Sequence, residues 1–139
     1  MKDTAKMEEE LKNCSDFKRF YAENRDLIKD RDLSEALREL IEQIGLSRSE
    51  VVRRSELSEV YAYQIISGVR HPERRKLLAL LIGMGLDFDR TQRLLKTTGY
   101  PELYVKNTFD LVVAFGICKG KSVMEINEML WDLGEETLG

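Results

Sequence analysis

Apolar positions recur at helical spacing along nearly all of this 139-residue chain. Leu33, Leu37, Leu40, Ile41 and Ile44 form one stripe, and Val123, Ile126, Leu130 and Leu133 form another. No strict alternation runs between turn signals, and no Asn-Gly hairpin dipeptide occurs. The pattern predicts an all-α protein of about seven or eight short helices, without internal repeats.

Starts and stops are written locally. Ser15 or Asp16 caps a helix whose stripe runs from Phe17 through Phe20 or Tyr21 and Asn24 to Leu27 and Ile28. Asp32 with Glu35, Ser47 with Glu50 and Ser122 with Glu125 have the form of capping boxes. Gly45, Gly68 and Gly99 are the expected stops. Pro72 falls near the first turn of the next helix, where its missing N–H costs nothing. The run Leu77 to Ile82 leaves that helix little polar surface, so it must be buried on most sides. Asp87 or Asp89 caps the following helix. The stretch "TFDLVVAFGICKG" is apolar nearly all round and reads as the central helix of a C-terminal bundle.

Three regions follow. Residues 1–31 are a polar tail, frayed over its first fifteen or so positions, and an amphipathic helix. Residues 32–86 form a compact helical unit, and residues 87–139 a helical extension packed on it, suited to dimerisation.

Composition is that of a globular protein, 42% hydrophobic and 34% charged. The two cysteines, Cys14 and Cys118, lie far apart in no metal-type spacing, and Cys118 reads as a core residue. Trp131 reads as core or dimer contact. The polar N-terminus does not resemble a secretory leader, and no apolar run is long enough for a bilayer. A cytoplasmic protein is expected, with no membrane partner, metal or cofactor. The lone histidine, His71, has no ligand cluster or nucleophile beside it, and no phosphate loop or nucleophile elbow occurs, so no enzyme is expected.

Net charge is −3, which argues against general polyanion binding. The distribution alters that picture. From Ser47 to Lys76 seven Lys/Arg stand against four Asp/Glu, a local +3 that leaves −6 elsewhere. A basic patch on an acidic protein suits phosphate contact at one face, or a protein partner.

The patch coincides with "LSRSEVVRRSELSEVYAYQIISGVRHP". Two short helices, Ser47–Ser55 and Ser58–Ser67, are joined by a few residues, with Ala62 and Ile65 inward and Val60, Gln64 and Ser67 outward. Here the sequence resembles the λ-repressor-like (XRE/Cro-type) helix-turn-helix family over roughly Leu33 to Leu86. Leu46 to Val52 is similar to that family's second-helix opening, and Ala62, Ile65, Gly68, Arg70 and Pro72 fall at its recognition-helix spacing. Two positions depart. The turn holds Glu56 where the family usually has glycine, which requires a different turn, and Ile66 stands where the family often has Glu.

The resemblance implies a transcriptional regulator that binds double-stranded DNA as a homodimer, with the Ser58–Ser67 helix in the major groove. It implies that Glu59, Val60 and Gln64 approach base edges, where Gln64 can pair bidentately with adenine. It implies a phosphate contact for Arg48, with Ser67, Arg70, His71, Arg74 and Arg75 flanking the backbone. Tyr61 and Tyr63 can each donate to a phosphate or anchor a protein contact. The rival expectation is a protein-interaction adaptor that keeps the helix-turn-helix shape. DNA binding requires Arg48, Arg70, Arg74 and Arg75 on one face with the exposed side of the second helix.

Overall fold

The computed structural model describes residues 3–25 and 31–139, all helix and connector with no strand among them. Nine helices follow in order: α1 (Thr4–Asn13), α2 (Phe17–Asn24), α3 (Leu33–Ile44), α4 (Arg48–Ser55), α5 (Glu59–Ser67), α6 (Arg74–Gly83), α7 (Phe88–Thr97), α8 (Thr108–Cys118) and α9 (Val123–Asp132). The tail expected to fray contains α1, begun by the Asp3 carboxylate accepting from Lys6 N–H at 2.7 Å. The expected stripe positions Leu27 and Ile28 lie outside the described residues.

Side-chain caps set most helix starts. Asp16, Asp32, Ser47, Ser58, Asp87, Asn107 and Ser122 each accept from the backbone N–H three residues on. The reciprocal bond of a capping box is made at Ser122, where Glu125 Oε1 accepts from the Ser122 N–H at 2.9 Å. This backbone bond, with the Ser122 hydroxyl after it, lowers the Glu125 carboxyl below its ordinary value. The Glu50 carboxylate instead turns to Arg53 and Arg54. Pro72 lies just before the Glu73 cap of α6, outside the first turn, and its carbonyl accepts from the Tyr100 hydroxyl at 2.6 Å.

α6 is the hub. Leu77, Leu78, Ala79, Leu80 and Leu81 are all buried. α4 crosses it at Gly83, where an added Cβ would lie 2.9 Å from the Val51 carbonyl oxygen and the Ser55 nitrogen. α5 packs on α3, and the Ser34 hydroxyl donates to the Ile66 carbonyl at 2.9 Å. Ile66, the departure from the family pattern, is buried. Each such aliphatic side chain contributes roughly 1.5–3 kcal/mol by leaving water.

The C-terminal half closes on the same hub. α8 packs on α9 with Gly116 against Ile126, α7 packs on α8, and α9 reaches α6. Arg74, at the start of α6, holds Asp110 of α8 through two bonds of 2.8 and 2.9 Å. Its guanidinium also donates to the Pro101 and Glu102 carbonyls. Gln92 clamps Leu103 by accepting from its N–H and donating to its carbonyl, at 2.7 and 3.0 Å. The chain end folds back, with Leu138 buried and its N–H donated to Asn127 Oδ1.

Two apolar expectations are corrected and a third is narrowed. Cys118 is exposed and does not belong to the core, and Trp131, 76% exposed, keeps only the dimer-contact half of its expected role. α8 is not apolar-buried all round, because Leu111 and Phe115 remain 49% and 46% exposed. The helices among the described residues are too few to cover every apolar face of the outer ones.

Candidate nucleic-acid interface

Glu56, Leu57 and Ser58 join α4 to α5. Glu56 has φ 61°, the only left-handed non-glycine backbone among the described residues. The turn therefore takes the conformation that glycine favours, contrary to the expectation that Glu56 forces a different one. That conformation costs a residue with a Cβ roughly 1–2 kcal/mol. Ser55 supports it from below, its hydroxyl donating to the Val52 carbonyl and accepting from the Leu57 N–H at 2.7 and 3.2 Å.

Ser58 caps α5, and Gly68 ends it at φ 89°. Ala62, Ile65 and Ile66 are buried, whereas Val60 is 69% exposed and Glu59, Tyr63 and Ser67 also face outward. Arg48 stands exposed in the first turn of α4. Together Arg48, Glu59, Val60, Tyr63, Gln64 and Ser67 line one open hollow of about 490 Å³. The three residues expected to read bases thus share a concavity with three expected phosphate contacts, Arg48, Tyr63 and Ser67.

Beside the hollow, Gln64 Oε1 accepts from Arg70 Nε at 2.9 Å, which ties the guanidinium to α5 while the Gln64 amide nitrogen keeps its own donors. Tyr61 is half-buried. The Arg70 guanidinium carbon lies 5.0 Å from its ring centroid and the Lys76 ammonium 5.7 Å. Tyr61 therefore acts as a platform holding two cations. Lys76 was not singled out in the sequence, because the ring that recruits it lies fifteen positions away on another helix.

The remaining candidates are engaged elsewhere. Arg74 directs its guanidinium to Asp110, and its side chain is 22% exposed. Arg75 donates to the Thr137 carbonyl and pairs with Glu73 and Glu136. His71 stacks on Tyr100 with ring centroids 5.3 Å apart and planes 6° from parallel. The required row of four arginines is thus divided: Arg48 and Arg70 flank α5, while Arg74 and Arg75 hold the C-terminal half.

Two arginines of α4 are also paired. Glu50 accepts from Arg53 Nε at 3.1 Å and from Arg54 Nε at 3.0 Å. Arg53 first and Arg54 second hold the Glu50 carboxyl down to about 2, and the same bond raises the Arg53 pKa. Glu56 also acts on Arg53, so two carboxylates offset the two guanidiniums here. Among the described residues no cluster of His, Cys, Asp and Glu is fit to hold a metal, and no helix is long and apolar enough to cross a membrane.

No protein-family model, curated protein or solved structure matches the chain.

Proposed function

We propose that this protein is a λ-repressor-like transcriptional regulator that binds double-stranded DNA through α5, as a homodimer on two half-sites. The observation that carries the reading is the hollow uniting Arg48 with Val60, Gln64 and Ser67 beside the α4–α5 turn. A cation at the mouth, a bidentate amide and an aliphatic tip are what phosphate, adenine and a thymine methyl require. Arg70, oriented by Gln64, supplies a second phosphate contact.

The electrostatics set the affinity. With Arg48 and Arg70 as the phosphate contacts, each protomer releases about two counterions, a salt slope of about −1.8, or about −3.6 for a dimer. Four arginines would double both figures. Glu59 lines the same hollow and opposes phosphate at close range, so discrimination comes from exclusion as much as attraction.

A second reading, a protein-interaction adaptor, draws support from the inward commitment of Arg74 and Arg75. The test is fluorescence polarisation on random duplex across a KCl series, with Arg48→Glu and Gln64→Ala. DNA binding predicts the shallow slope above, its loss in Arg48→Glu, and in Gln64→Ala weaker binding to a selected site with an unchanged slope. Absence of salt-dependent binding refutes the DNA reading and favours the adaptor.

A further inference from the structure

Two apolar stripes of the C-terminal half lie open, and their charges are opposite. On α8, Leu111 and Phe115 are 49% and 46% exposed, and with the exposed Cys118 they lie on one helix face at four- and three-residue spacing. Lys119 Nζ lies 5.8 Å from the Phe115 ring. The one acid of this helix, Asp110, is buried against Arg74, so the open face is apolar and basic. On α9 the same spacing places Met124, Glu128 and Trp131 outward, with Met124 59% and Trp131 76% exposed.

Beside that second stripe runs a groove of about 440 Å³ between α9 and the helix-turn-helix turn. Leu57, Ala79 and Val123 give it apolar walls, Glu56, Glu128 and Asp132 give it negative ones, and no Lys or Arg lines it. From Ser122 to Glu136 the chain carries five acids and no Lys or Arg.

We infer that a second copy of this chain covers both faces. The α8 stripe of each protomer lies along the α9 groove of the other, with Phe115 in the groove and Lys119 beside Glu128 and Asp132. A two-fold pairing makes this contact twice and leaves neither stripe in water. Apolar surface drives the association, and the opposite charges fix its register. A foreign partner would have to match each face separately, whereas the chain already holds both complements. The inference deepens the homodimer in the proposed function, since it states which faces pair.

The experiment uses the full chain without DNA. Trp131 is the only tryptophan, so its emission reports the groove directly. Sedimentation and Trp131 emission are measured together from roughly 1 to 100 μM, a range that brackets micromolar association. A monomer–dimer equilibrium is expected, with emission moving to the blue as dimer forms. Phe115→Glu and Trp131→Glu weaken association about 30-fold or more, as for central interface anchors. Lys119→Glu or Glu128→Lys alone weakens it about tenfold, and the two together restore it to within about threefold. All four positions are exposed, and far-UV circular dichroism verifies folding, while the wild-type dilution series needs no variant at all.

A monomer with water-exposed Trp131 across the whole range overturns the inference. So does a dimer indifferent to Phe115→Glu and Trp131→Glu, or a charge swap without rescue. A monomer whose emission shifts blue with an amphipathic Leu/Lys peptide assigns the groove to a basic partner segment instead. Failure of DNA binding in the salt series leaves these measurements untouched, so the two proposals fail separately.

Discussion

Replacing Asp110 with alanine tests whether Arg74 is a structural residue. Asp110 accepts from Arg74 Nη1 and Nη2 at 2.8 and 2.9 Å and from the Tyr104 N–H at 2.8 Å. The Arg74 and Asp110 side chains are 22% and 10% exposed. Removing one partner of a buried pair costs about 3–5 kcal/mol, because the remaining charge stays desolvated. Arg74 keeps the Pro101 and Glu102 carbonyls and some access to water, which places the loss at the lower end, about 3 kcal/mol. For a chain of this size that is a fall in Tm of about 12 °C. Urea denaturation followed by circular dichroism measures it. An Arg74→Met/Asp110→Leu double variant should be less destabilised than the summed singles by about 2 kcal/mol. The same double variant should keep the wild-type salt slope on DNA. A loss below about 1 kcal/mol in Asp110→Ala, or a flattened slope in the double variant, refutes the assignment of Arg74 to the fold.

Other outcomes follow from single features. Glu56→Gly should stabilise the protein by about 0.5–1 kcal/mol, because glycine occupies the left-handed turn without a Cβ penalty; a net loss in urea melts would show that Glu56 makes a compensating contact. Gly83→Ala should cost about 1–3 kcal/mol, since the new methyl meets α4 backbone atoms at 2.9 Å, and an unchanged midpoint would contradict the close α4–α6 crossing. Burial, with Tyr61 nearby, pushes the Tyr100 hydroxyl up from 10.0 to about 12. The folded state therefore holds that proton more tightly, so the neutral phenol stabilises the fold fully below pH 10 and progressively less as pH rises towards 12. Ultraviolet titration of wild type against Tyr100→Phe checks this, and a Tyr100 titration at 10 would contradict it.

Local signals were legible where one turn of chain decides them. Asp16, Asp32, Ser47, Ser58, Asp87 and Ser122 cap helices because an acceptor three residues before an orphan N–H can reach it whatever surrounds it. Gly45 and Gly68 stop helices for an equally local reason, their positive φ of 77° and 89°. The inward face of α5 and the outward placement of Val60 and Ser67 follow from helical period alone.

Which arginines face solvent was not local. Arg74 and Arg75 sit side by side in the sequence and look alike in any pattern of charge. Asp110 and Thr137, 36 and 62 positions away, draw them to the C-terminal half. Tyr61, nine positions from Arg70 and on another helix from Lys76, gathers those two cations instead. Cys118 reads as interior by residue type, and Trp131 as interior or dimer contact, yet their exposure depends on how many helices are left to cover α8 and α9. The sequence by itself determined the all-helical fold, its caps and stops, and the face that α5 turns outward, because each depends on hydrogen bonds and periods within a few residues. Only the tertiary structure decided the charge of that face and the open surfaces of the C-terminal half, because long flexible side chains choose partners by proximity in space.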